Sequence, residues 1–99
     1  MQMHKLPTPS EILLEGYLKP WEIDPAEFAS RMGVILADIN DLLAGHSAVT
    51  ADLALRLSIT LGTTPEIWLG LQQQYDLWQA QQNFTDDLQP YDRSRMVTV

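Results

Sequence analysis

The sequence contains no cysteine. That excludes disulfide scaffolds, cysteine-ligated zinc and cysteine nucleophiles, and it fits a reducing compartment. Basic residues are scarce: Lys5, Lys19, Arg31, Arg56, Arg93 and Arg95 stand against 13 acidic residues, and the net charge is −7. Nucleic-acid binders usually carry a basic stripe, and phosphate neutralisation supplies most nonspecific affinity. Strong nonspecific DNA binding is therefore disfavoured. No apolar run approaches the roughly 18 residues that span a bilayer. The first nine residues are polar, hold two prolines and lack the apolar segment of a secretory signal. The expectation is a cytoplasmic protein that does not touch a membrane. Ser-His-Asp constellations, HExxH and glycine-rich phosphate loops are also missing, and His4 and His46 stand alone. No enzyme, no cofactor and no metal site is expected.

Strand signals are few, because no segment alternates β-branched and polar residues. Helix signals fill the gap. Ile12, Leu13, Leu14, Tyr17 and Leu18 form one broad apolar face over Pro9 to Leu18, and Lys19-Pro20 stops it. Asp24-Pro25-Ala26-Glu27 is a start signal: a capping carboxylate, a proline at the first helical position, and an acid completing a capping-box-like pattern. That helix runs to Met32, with Phe28, Ala29 and Met32 inward, and Gly33 ends it. The next runs from after Val34 to about Ala44 on an inward stripe of Ile35, Ile39, Leu42 and Leu43. Thr50 caps a fourth, Ala51 to Leu61, with Leu53, Ala54, Leu57 and Leu61 inward. Thr64-Pro65-Glu66 starts a fifth that extends toward Gln82. The prediction is an all-α, five-helix domain over residues 1–82. A polar tail, residues 83–99, follows, with a strand-prone end at Met96-Val97-Thr98-Val99.

Glu27 to Gly45 carries the functional signal. Ala29 lies four residues before the turn glycine, where a small side chain lets two helices cross closely. Val34 fills the corner, and Ile39 with Leu42 packs the second helix onto the first. This is helix-turn-helix spacing.

These stretches resemble HigA-type antitoxins of the Xre/Cro/C1 helix-turn-helix superfamily. The resemblance covers about Pro9 to Gln82. It is carried by Phe28-Ala29-Ser30-Arg31-Met32-Gly33-Val34, by Ala54-Leu55-Arg56-Leu57, by Gly62-Thr63-Thr64-Pro65-Glu66-Ile67-Trp68-Leu69 and by Tyr75-Asp76-Leu77-Trp78. It implies a lambda-repressor-like helix-turn-helix fold and two partners besides a second copy of the chain. One is a cognate HigB/RelE-like ribonuclease toxin, neutralised without catalysis. The other is operator DNA, bound by a homodimer that represses its own operon.

One departure bears on DNA. Family recognition helices usually carry hydroxyl and basic residues. Here Ile35 to Ala44 holds no basic residue and two acidic ones, Asp38 and Asp41, a local charge of −2. The alternative function is therefore a helix-turn-helix-fold protein-interaction module that has lost DNA binding. For DNA, the candidates are Leu36, Ala37, Asn40 and Asp41 near base edges, with Ser47 and Arg31 on phosphates. Arg93 and Arg95 are further phosphate candidates. Trp68, Leu71, Tyr75 and Trp78 fall at helical spacing and suggest core plus a homodimer interface. Arg56 reads as structural, capping or pairing near helix ends.

Overall fold

The computed structural model describes residues 6–85 and 87–91. Lys5, the Met3-His4 pair, Arg93, Arg95 and the Met96–Val99 end lie outside the described residues. Five helices follow in order: α1 (Pro9–Leu13, continued by a π turn over Leu14–Leu18), α2 (Pro25–Met32), α3 (Leu36–Leu43), α4 (Ala51–Leu61) and α5 (Pro65–Asn83). Among the described residues there is no strand, and no helix is long and apolar enough to cross a membrane.

A complete capping box sits at the start of α1. Thr8 Oγ1 accepts from the Glu11 amide at 3.1 Å, and the Glu11 carboxylate accepts from the Thr8 amide at 2.9 Å. The sequence suggested one uninterrupted α-helix to Leu18. Instead the Lys19 amide reaches back five residues to the Leu14 carbonyl at 2.9 Å. The two anchoring leucines, Leu13 and Leu18, are five residues apart and both buried. An i→i+5 turn brings that spacing onto one side, which an α-turn does not.

α2 begins on Asp24, whose carboxylate accepts from the Glu27 amide at 3.1 Å. The reciprocal half of the expected capping box does not form. Glu27 turns instead to Arg31, one helical turn on, and accepts from Nε and Nη2 at 3.1 and 2.9 Å. Gly33 closes α2 at φ 74°, a conformation that costs an L side chain energy. Its amide bonds to Ser30 O at 3.2 Å, and the Val34 amide bonds to Ala29 O at 3.0 Å. That is a Schellman closure. It fixes how the chain enters α3.

α3 buries Ile39 and Leu42. Ile35 does not join that stripe and is 66% exposed. It is the extended residue before the first helical turn, φ −82° and ψ 157°, so its side chain leaves the helical register. Thr50 and Thr64 cap α4 and α5 through the Leu53 and Ile67 amides. The core runs from Leu13 to Trp68 and takes residues from all five helices. Phe28, Ala29 and Met32 pack from α2, and Ala54, Leu57 and Leu61 from α4. Trp68 closes the core, its Nε1 donating to Thr63 Oγ1 at 2.7 Å.

A candidate nucleic-acid interface

Ile39 and Leu42 anchor α3 inward, and this decides what the helix shows to solvent. Leu36, Ala37, Asp38, Asn40 and Asp41 are all exposed. The chain then turns through Gly45 into an exposed loop that carries Ser47. That loop is held at both ends. The His46 amide bonds to Asp41 O at 2.9 Å, and the Val49 amide donates to Gln72 Oε1 on α5 at 2.8 Å. Asp38, Asp41 and Ser47 line one surface hollow with Val34, Thr50, Asp52 and Leu53, at the N-terminal end of α4. Exposed apolar and amide groups on one short helix beside a polar loop can contact base edges and a phosphate.

Arg31 does not join this group. It lines a different hollow with Trp21, Glu22, Phe28, Thr60 and Leu61, at the C-terminal end of α4. The two ends of an 11-residue helix are about 16 Å apart. Each of the three basic residues among the described residues is matched to an acid one turn earlier. The pairs are Lys19 with Glu15 at 2.8 Å, Arg31 with Glu27 at 2.9 Å and Arg56 with Asp52 at 2.8 Å. Such exposed pairs add little stability. They do lower the positive field around each cation.

The aromatic stripe of α5 faces its own domain more than the sequence suggested. Trp68 is 0% exposed, so it is a core residue with no surface left for a partner. Leu71 packs against the core, and Tyr75 and Trp78 are half-buried with ring centroids 6.1 Å apart. The exposed apolar surface lies elsewhere. Leu55 and Ile59, one turn apart on α4, are 53% and 80% exposed, and Ile67 and Leu77 on α5 are exposed as well. Spacing marked a face of α5 as apolar, but α4 also carried a second, outward apolar pair that spacing alone did not single out.

Arg56 acts at longer range than its sequence neighbourhood suggested. Its Nε donates to Asp52, while Nη1 reaches α2 and donates to Met32 O at 2.9 Å and Gly33 O at 3.3 Å. The sequence signalled a structural arginine and gave no sign of this partner 24 residues away.

No family model matches the chain. Individual proteins do. The antitoxin HigA-1 of Vibrio cholerae serotype O1 is 34% identical over 77 residues, covering 78% of this chain and 72% of that protein. The uncharacterized HTH-type transcriptional regulator YddM of Escherichia coli K12 is 33% identical over 81 residues, covering 82% and 85%. Among solved structures, the antitoxin GraA superposes with a TM-score of 0.83 at 39% identity, covering 91% of this chain and all of that one. GraA in complex with its operator gives 0.83 at 38% identity, covering 93% and 96%. Pseudomonas aeruginosa antitoxin HigA with the higBA promoter gives 0.77 at 28% identity, covering 84% and 95%. Helix order, turn geometry and these similarities agree: the chain belongs to the HigA-type antitoxins of the helix-turn-helix superfamily.

Proposed function

We propose that the chain is an antitoxin that neutralises a HigB/RelE-like ribonuclease toxin and represses its own operon by binding operator DNA as a homodimer. One observation carries the DNA part. The relative seen in complex with its operator shares this fold at 38% identity over nearly the whole chain. The exposure of Leu36, Ala37, Asn40 and Asp41 on α3 supports entry of this helix into a major groove. Leu36 and Ala37 offer apolar contacts to thymine methyls, and Asn40 offers an amide that fits an adenine edge. Asp41 lies beside them near the base edges, and Ser47 donates to a phosphate. Arg31 reaches a phosphate only after leaving Glu27.

Two copies are needed, because half-sites lie one helical turn, roughly 34 Å, apart. The second copy docks on apolar surface of α4 and α5, through the exposed Leu55 and Ile59 on α4 and the half-buried Leu71, Tyr75 and Trp78 on α5. The chain works without catalysis, in the cytoplasm. The domain spans residues 1–82, although α5 itself ends one residue later, at Asn83.

A reporter placed behind the DNA upstream of the gene tests repression, and coexpression with a HigB/RelE-like ribonuclease toxin tests neutralisation. Repression together with restored growth is expected. Restored growth without repression favours the interaction module, for which Asp38 and Asp41 on the exposed face of α3 are the supporting feature. Absence of both repression and restored growth overturns the proposal.

A further inference from the structure

We infer that Arg56 is a positioning residue for DNA reading: from α4 it clamps the turn between α2 and α3 and so sets the angle of the recognition helix. The inference rests on the DNA-binding reading above. Nη1 donates to Met32 O at 2.9 Å and Gly33 O at 3.3 Å, the carbonyls at the end of α2. Carbonyls in the last turn have no partner inside their helix, and they sit at the negative end of its dipole. A guanidinium satisfies both needs. Asp52 fixes the fork from the other side, taking Nε at 2.8 Å.

Gly33 makes room for this contact. A Cβ built there lies 2.9 Å from Nη1. A second α4 side chain meets the last residue of α2 through its side chain: Thr60 Oγ1 lies 3.4 Å from Met32 Sδ. Only Val34 and Ile35 separate the second clamped carbonyl, that of Gly33, from Leu36, the first residue of α3. A shift of the turn therefore becomes a shift of Leu36, Ala37 and Asn40 against the bases.

Lysine keeps the charge, but one ammonium cannot reproduce a planar fork that spans Asp52 and two carbonyls. The test compares the full chain with Arg56→Lys and Asp52→Asn. It uses fluorescence anisotropy on the DNA upstream of its own gene and on a scrambled duplex of equal length. Amide hydrogen exchange is followed at residues 34–38. Arg56→Lys is expected to lose about tenfold on the operator, the scale of one base contact. Binding to the scrambled duplex should stay within about threefold, since the charge is retained. Exchange at residues 34–38 should quicken while α5 is unchanged. Asp52→Asn frees the fork, so its operator-to-scrambled ratio should also fall, and this variant stands in if Arg56→Lys does not fold. Removing a carboxylate by electrostatics alone would raise both affinities together. Unchanged operator affinity and exchange in Arg56→Lys, or a parallel loss on both duplexes, would overturn the role of Arg56. No operator binding by the unaltered chain overturns the DNA reading and this role with it.

Discussion

The Val49 amide and the Gln72 side chain are joined across the molecule, N–H to Oε1 at 2.8 Å. Val49 ends the loop after α3 and is itself buried, while Gln72 lies on α5 and also donates Nε2 to Asp76 at 2.8 Å. One amide thus ties the loop carrying Ser47 to the last helix. Gln72→Leu should leave a buried donor unsatisfied and cost about 1–3 kcal/mol. That corresponds to about 4–8 °C of melting temperature per kcal/mol in a domain of this size. Gln72→Glu keeps the acceptor and should cost less. A melt in which Leu and Glu behave alike would show that the bond carries no weight.

The helix crossing is tested at Ala29 and Gly33. Ala29 is buried where α2 meets α3 and α4. Ala29→Leu should overpack the site and cost about 1–3 kcal/mol. Gly33→Ala meets two penalties. The left-handed backbone costs about 1–2 kcal/mol, and its new Cβ displaces the Arg56 guanidinium. Both variants should lower the midpoint of chemical denaturation. Wild-type midpoints in both would contradict the helix-turn-helix packing.

Association should run through α4, not through Trp68. The unaltered chain is expected near twice 11.2 kDa by light scattering at micromolar concentration. Leu55→Ser with Ile59→Ser should give a monomer with an unchanged circular dichroism spectrum, since neither side chain is in the core. A dimer that survives the double substitution would move the interface elsewhere.

The acidic face of α3 should weaken DNA contact by repulsion. Replacing Asp38 and Asp41 with Ala ought to strengthen binding to a scrambled duplex. It should also steepen the salt dependence, because two carboxylates near phosphates are removed. Unaltered scrambled-duplex affinity would mean that this face lies away from the backbone.

The sequence made legible what is decided within a few residues. Asp24-Pro25, Thr50 and Thr64-Pro65 each start a helix where expected, because a cap and its target amide are three residues apart. Gly33 was readable for the same reason. What needed the third dimension was missed. The π turn at Leu14–Leu18 follows from burying two leucines at once, and the exposure of Ile35 from its place outside the helix. For Trp68 a core place was legible, but not that α4 and Tyr17 would leave it no exposed surface. At the candidate site, the composition of α3 was plain, but the separation of Arg31 from Ser47 depends on which end of α4 each one meets. Arg56 shows the limit best: its type was readable, while its partner on α2 was not.

Asn40 provides the most direct test. It is exposed on α3 between the anchors Ile39 and Leu42, and its amide suits an adenine edge. The decisive measurement is an anisotropy titration of the chain and of Asn40→Ala on the DNA upstream of its own gene, at low and moderate salt. The account predicts that the chain binds this DNA more tightly than a scrambled duplex. Asn40→Ala should lose about 1–3 kcal/mol on the operator only. No binding at low salt, even with Asp38 and Asp41 both replaced and the fold intact, would contradict it and leave the protein-interaction module standing.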